Sequence, residues 1–267
     1  MTIENKPYQP YPTDLTDAQW ELVRPLMPEP KTRGRKRSEL RLICNAILYH
    51  VRGGSAWRLL PHEFGPWETV YGYFRKWRIQ GRWKLIHDYL RGEVRVQAGK
   101  RVDPTAAILD SQTVRSSDQA GERGYDKAKQ TKGIKRHILV DTLGMLLAIS
   151  VTPANTPERE GAQAFLGLAL AACRWLRCIF ADQGYSGPTF ADWVASHRKT
   201  GTLRLEVVPR LESQQGFRVL RKRWIVERTF GWLMKHRRLV RNYEVKPENA
   251  VAFAQIAMIG IMLRRLA

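Results

Sequence analysis

Three acidic residues stand out by where they fall in the chain. Asp110 follows the apolar run Thr105 to Leu109, and Asp182 follows Arg177 to Ala181, so each closes a stretch that reads as a short β-strand. In an open α/β sheet, ligands gather outside the carboxyl ends of the strands, and two neighbouring strands would set both carboxylates at one edge. Glu227 lies in the helical stretch RKRWIVERTFGWLMKHRRL, on the side away from Ile225, Val226, Thr229, Trp232 and Leu233. Brought together, the three would offer hard oxygen ligands for Mg²⁺ or Mn²⁺. Two such ions would suit an in-line phosphoryl displacement. Taken singly, each acid has a plainer reading. Asp often opens a turn after a strand, and Glu227 can pair with Arg223 four positions earlier on the helix surface.

These acids need elements to position them. Before residue 95 the signals are helical. Thr16 and Gln19 form a capping-box pattern, and Ser38 is placed to cap a second helix that Gly53-Gly54 stops. Ala56 to Leu60 makes a short segment, and a helix opens after Gly65-Pro66 and runs from Trp67 to Ile79. This reads as a small all-α leader domain of helix-turn-helix type over residues 1–95, followed by a linker over 96–104. Residues 105–267 read as α/β. A strand ends at Asp110; Arg136 to Val140 and Met145 to Thr152 form a hairpin about Asp141 to Gly144; Gly161 to Leu176 is helical. A strand ends at Asp182, then come a helix over Phe190 to His197, a strand over Leu203 to Val208, and helices over Phe217 to Leu239 and Pro247 to Leu266. That order matches a ribonuclease H-like mixed sheet with flanking helices.

Charge suggests the partner. The 267 residues carry 45 Lys and Arg against 25 Asp and Glu, a net charge of +20. Such an excess repels itself in a folded chain and is best compensated by a polyanion, nucleic acid before a membrane surface. The one long apolar run, Ala250 to Leu263, contains Gln255 and falls short of the roughly 20 residues that span a bilayer, so it reads as a buried helix. No signal pattern opens the chain, and Cys44, Cys173 and Cys178 lack zinc or disulfide spacing, which fits a reducing cytoplasm without membrane attachment. Residues 31–84 hold 13 Lys and Arg against Glu39, Glu63 and Glu68, half of the excess. Within them Arg33, Arg35, Lys36 and Arg37 form a basic arm. The Trp67 helix, with Thr69, Arg75, Lys76 and Arg78 outward, is the candidate recognition helix.

The stretches ILDSQTVRSS, GYDKAKQTKGIKRHILVDTLGMLLAISVTPANTPE, IFADQGYSG and RWIVERTFGWLMKHRRLVRNYE resemble the DDE transposases of bacterial insertion sequences. The likeness is to the insertion-sequence-five group of the four/five superfamily, and YPTDLTDAQWELVRPLMP, GRKR and GSAWRLLPHEFGPWETVYGYFRKW resemble its leader. The resemblance implies that Asp110, Asp182 and Glu227 are the catalytic acids and hold two Mg²⁺ ions, with Mn²⁺ as a substitute. It implies cleavage at transposon ends, strand transfer by the freed 3′-hydroxyl into a target duplex, and a homodimer or larger synaptic assembly on the bacterial nucleoid. The group's signature around Glu227 has a Tyr where Leu220 stands and a Lys where Met234 stands; Arg223 matches its Arg, and Lys235 or Arg238 is placed to supply the missing cation. Lys132, Lys135 and Arg136 are candidate DNA contacts or a solvated strand edge, with His137 beside them. Asn155 either orients a group near the acids or makes a turn, and Tyr185 either stacks on a base or packs. Two rival functions remain: a DNA-binding regulator without chemistry, and a nuclease that cuts but does not join.

Overall fold

The structure, a computed structural model, describes residues 8–28, 39–198, 202–208 and 222–267. Helix α1 (Asp17–Val23) starts with the expected capping box: the Thr16 hydroxyl accepts from Gln19 N at 3.2 Å, and Gln19 Oε1 accepts from Thr16 N at 3.3 Å. Helix α2 (Leu40–Gly53) has Glu39 at its N-cap without a side-chain capping bond; Ser38, expected in that role, lies outside the described residues. The helix ends at Gly54, whose φ of 76° and close approach to the Arg237 backbone leave no room for a side chain. Helix α3 (Trp67–Ile79) has the expected bounds. After it comes α4 (Arg82–Gln97), which the sequence reading did not resolve and which reaches two residues into the expected linker. Its buried Trp83, Ile86, Leu90 and Val94 recur at helical spacing, interrupted in sequence by buried His87 and Arg95.

The second part runs β1 (Ala106–Arg115), β2 (Gly124–Asp126), β3 (Thr131–Asp141), β4 (Leu146–Pro153), α5 (Glu158–Ala172), β5 (Cys178–Ala181), α6 (Pro188–Ser196), β6 (Arg204–Val207), α7 (Arg223–Met234), α8 (Arg237–Val240) and α9 (Pro247–Leu266). The sheet order is β2-β3-β1-β5-β6, with β4 beside β2 on the outer side of β3. β1, β3 and β4 are antiparallel, whereas β5 and β6 run parallel to β1. This is the expected mixed α/β architecture of ribonuclease H-like type behind an all-helical leader. Two expectations need correction. β1 does not end at Asp110 but continues five residues to Arg115, because its whole length pairs with β3. The expected helix over 217–239 begins, within the described residues, at Arg223. It breaks at Lys235-His236, where His236 turns extended and α8 starts in a new direction; residues 217–221 lie outside the described set.

The sheet is covered on both faces, which explains its apolar strands. Ala107, Leu109, Ile179 and Ala181 pack with α5 and α6. Ile108, Ile138, Val140 and Phe180 face the other way, into a core shared by α7, α9 and the leader helices. Helix α9 is long and apolar enough to cross a membrane, yet its Phe253, Ile256, Met258 and Met262 are buried in that core, as the sequence reading expected. One buried ion pair fastens leader to sheet. Arg95 Nη1 lies 2.5 Å from Asp141 Oδ2, with side chains 5% and 0% exposed. Arg95 Nε donates to the carbonyls of Arg101 and Val102, and Asp141 Oδ1 accepts from Leu143 N and Met145 N, closing the β3–β4 turn. A buried pair adds little over apolar packing, but removing one partner strands the other charge. Arg95→Ala is therefore expected to cost about 3–5 kcal/mol, read as a lower urea midpoint at unchanged slope. A loss below about 1 kcal/mol would show that the pair does not hold this junction.

Candidate active site

The register of two strands sets the site. β1 and β5 pair in parallel as Ala106↔Cys178, Ala107↔Ile179 and Ile108↔Phe180, and the pairing stops there. Two residues beyond the last pair stand Asp110 and Asp182. With a side-chain period of two, both carboxylates point to the face of Ile108 and Phe180, the face that α7 covers. With Val208 and Arg223 they line one small pocket. Each is held locally: Asp110 Oδ1 accepts from Ser111 N at 2.7 Å, and Asp182 Oδ1 accepts from Gly184 N at 3.0 Å, capping the single turn Gln183–Tyr185.

Helix α7 brings the third acid on the same face. Arg223, its first residue, sits between carboxylates, with Nη2 3.7 Å from Asp182 Oδ2 and Nε 3.5 Å from Glu227 Oε1. Glu227 is thus the i,i+4 partner of Arg223 and at the same time the acid nearest the strand ends on α7. Its side chain is 55% exposed. Among the described residues no three His, Cys, Asp or Glu side chains lie close enough to hold one ion, so the expected convergence of three carboxylates is not assembled. The reason is electrostatic: the guanidinium neutralises Asp182 and draws Glu227 outward. Asp110 and Asp182 fit a hard divalent cation as oxygen donors already abreast; Glu227 fits only after its side chain turns from Arg223.

A fourth carboxylate escaped the sequence reading. Glu158, in the first turn of α5, accepts from Ser111 Oγ at 3.1 Å. A Cβ on Gly184 would come within 1.9 Å of Glu158 Oε2 and 3.1 Å of Asp182 Oδ1, so the bare backbone there lets the two acids share one corner. The signal, an acid after TPANTP, was masked by the ordinary preference for acids in a first helical turn. Lys222 was also missed; its Nζ lies 3.9 Å over the Phe180 ring, next to Arg223. This crowding shifts Asp110. Burial pushes its carboxyl up to about 7; the Ser111 N–H opposes that, Asp182 adds to it, Arg223 opposes it, and Glu158 adds again.

The weaker candidates sort clearly by exposure. Tyr185 is fully buried, tilted against Phe190 at 5.9 Å, so it packs and does not offer a ring to a base. Burial, then Asp110 and Glu158, raise its phenol well above the ordinary range. Lys135 and Arg136, expected as DNA contacts or a solvated edge, are enclosed because β3 lies inside the sheet with both faces covered. Lys135 Nζ donates to the Thr156 carbonyl at 3.0 Å, and burial pulls the Arg136 guanidinium down to about 10. Only Lys132 of that group is exposed. His137 is internal, 3.0 Å from Thr152 Oγ1 and lowered to about 4 by burial and then Lys135; Gly161 leaves space for its ring. Asn155 stands in the Pro153 to Thr156 turn, against Gly124. Arg238 is committed to Glu244 at 2.5 Å and stacked over Tyr243 and Phe253, so of the two expected cations Lys235 is the exposed one. On α3, Arg75 and Lys76 are exposed while Thr69 and Arg78 are half-buried. Arg33, Arg35, Lys36 and Arg37 lie outside the described residues.

The raised Asp110 has a thermodynamic consequence. An unfolded Asp titrates near 3.9, so between about pH 4 and pH 7 the folded state holds the extra proton and stability falls as pH rises. In EDTA, Asp110→Asn is expected to match the parent near pH 4 and to exceed it by about 1–2 kcal/mol at pH 8, a melting point a few degrees higher. Parallel pH curves for the two proteins would contradict the assigned environment.

Comparison with known proteins accords with this geometry. The model of the transposase DDE domain matches residues 101–263, and that described as "Putative transposase of IS4/5 family" matches residues 15–87. The "Insertion element IS402 uncharacterized 16.2 kDa protein" of Burkholderia cepacia is 32% identical over 109 residues, 38% of this chain and 73% of that one. The "Putative transposase for insertion sequence element IS402" from the same organism is 29% identical over 149 residues, 52% of this chain and 65% of its own length. The uncharacterized protein y4sN of Sinorhizobium fredii is 29% identical over 117 residues, 43% of this chain and 85% of that protein. A sheet that sets Asp110 and Asp182 abreast, a helix over them that carries Glu227 on the Arg223 side, and a matching model across the sheet lead to one assignment: the chain belongs to the DDE transposase family, of the IS4/5 type.

Proposed function

We propose that this chain binds the terminal inverted repeats of an insertion sequence, cleaves the DNA there and joins the freed 3′-hydroxyl to a target duplex. The observation that carries the proposal is the parallel register that puts Asp110 and Asp182 side by side under the start of α7. DDE transposase domains generally use divalent metals, and here two Mg²⁺ ions, or Mn²⁺ in their place, would offset charge on the attacking and leaving oxygens. Asp110 and Asp182 would hold the ions as deprotonated oxygen donors. Glu227, turned from Arg223, would complete the set, and the Arg223 guanidinium would then be free to bind a substrate phosphate with paired N–H donors. Ser111 and Gly184 keep the two aspartates oriented through their backbone N–H groups. Water breaks the phosphodiester at the element's end; the resulting 3′-hydroxyl then displaces a target oxygen, with no covalent protein–DNA intermediate.

The leader supplies recognition in this reading, as a DNA-binding domain over residues 1–95 joined by 96–104 to the catalytic domain over 105–267. Arg75, Lys76 and Arg78 of α3 reach toward a groove, and the arm Arg33, Arg35, Lys36 and Arg37 tracks phosphates. Lys132 and Lys235 extend the phosphate contacts. A dimer or larger assembly holds both ends on the nucleoid in the cytoplasm. The test is cleavage and joining of end-containing DNA in Mn²⁺. Asp182→Asn should lower both by about 10³-fold or more, several kcal/mol of lost charge stabilisation. Equal nicking by parent and variant, or no nicking by either, would remove the enzyme reading stated here, the second outcome favouring a DNA-binding regulator; cleavage without joined products would favour a nuclease.

A further inference from the structure

Helix α7 presents a solvent-facing stripe made of Trp224, Glu227, Arg228, Gly231 and Lys235, spaced at three or four residues and so aligned along one side. Gly231 stands out within this stripe. Like Gly72 on α3, it is exposed in the middle of a helix, where glycine is the costliest residue short of proline, and apart from its chain neighbours and its own helix backbone no described atom lies within 4 Å of the place its Cβ would occupy. Nothing described inside the protein therefore asks for glycine there. The neighbouring groups say what does. The Arg228 guanidinium lies between the rings of Trp224 and Trp232, at 4.5 and 4.6 Å, and Arg265 covers Trp232 at 4.6 Å. Arg228 Nη2 also donates to the Leu143 carbonyl at 3.0 Å, so this ladder of rings and cations is held rigid from below. Trp224, at its outer end, stays 41% exposed and directly follows Arg223 of the carboxylate pocket. Lys235, at the other end, has a free ammonium, while its carbonyl accepts from Arg52.

We propose that this stripe is the track on which a DNA strand lies as it leaves the carboxylates, with its sugar-phosphate backbone pressed against α7 at Gly231. Lys235 flanks the contact and faces a phosphate, while Arg228, held between the two rings and on the Leu143 carbonyl, supplies fixed positive charge beside it; Trp224 offers a ring to a base unpaired near the cleavage point. Glycine is kept because a methyl group would hold the backbone off the helix, and the strand's negative charge offsets cations that have no acid on this face except Glu227. The inference deepens the transposase reading and rests on it.

Gly231→Ala separates the two roles of the position by sign. The methyl group meets nothing and improves helix propensity, so the melting point should rise by roughly 2–4 °C. Binding of a fluorescent mixed-sequence DNA duplex, followed by anisotropy in EDTA so that no cleavage intervenes, should weaken on the order of tenfold, the equivalent of one good phosphate contact. Lys235→Gln should reduce the salt slope of binding by about one ion. A variant with a higher melting point and unchanged affinity overturns the track. A lower melting point overturns it too, since glycine would then serve the fold, as does altered self-association in sedimentation at unchanged DNA affinity, since a second copy would then cover the stripe. If the parent itself does not bind the duplex, the functional reading fails as a whole; if the parent binds and the alanine variant binds equally, only the track is lost.

Discussion

The arrangement depends on crowded negative charge at one end of a pair of parallel strands. Asp110 and Asp182 sit abreast because β1 and β5 pair in register up to the residues just before them, and Glu158 joins from the start of α5. Like charges in a partly buried pocket repel, and the protein answers in three ways. Backbone N–H groups of Ser111 and Gly184 donate to the aspartates, Arg223 lies between Asp182 and Glu227, and burial, reinforced by Asp182, keeps the proton on Asp110 to about pH 7. A site strained in this manner is suited to taking up positive charge, which is what phosphoryl transfer on a polyanion requires.

Holding α7 at the right height is the task of residues far from the carboxylates. Thr229 Oγ1 donates to the Gly144 carbonyl at 2.9 Å, and Arg228 donates to Leu143, so the helix rests on the β3–β4 turn. That turn is closed by Asp141, which pairs with Arg95 of α4. Helix α4 in turn packs along α9, whose apolar length fills the space between leader and sheet. The leader is thus part of the frame beneath the site, and the ladder of rings and cations on α7 shares its supports with the acids. Basic groups on α3 and around Arg223 therefore belong to one packed body through α4, α9 and the β3–β4 turn.

Much of this was legible before any coordinates. The capping box at Thr16, the Gly54 stop, the bounds of α3 and α9, the hairpin at Asp141 to Gly144 and the strand leading to Asp182 follow from local chemistry that tertiary contacts reinforced. Helix α4 is obscure in the sequence because buried His87 and Arg95 break its apolar pattern: His87 bonds its neighbour Asp88, whereas the carboxylate that pairs with Arg95, Asp141, lies 46 residues along the chain. β1 looked short because the residues after Asp110 are polar; they remain in the strand through pairing with β3, a cross-strand effect invisible in a linear reading.

The sequence by itself determined which residues could do chemistry and which kind: acids at strand ends, a lone acid on a basic helix, and an excess of positive charge that calls for a polyanion. Only the tertiary structure decided which cations are free to meet that polyanion. Lys135 and Arg136 vanish into the sheet and Arg238 into its bond with Glu244, whereas Lys235 and the outer face of α7 stay open. It also decided that Glu158 belongs with the aspartates and that Arg223 holds Glu227 away from them. The reason is general: residue type and spacing fix what a side chain can bond, but burial and partners are set by segments distant in sequence, and charge is redistributed among them only when the chain closes on itself.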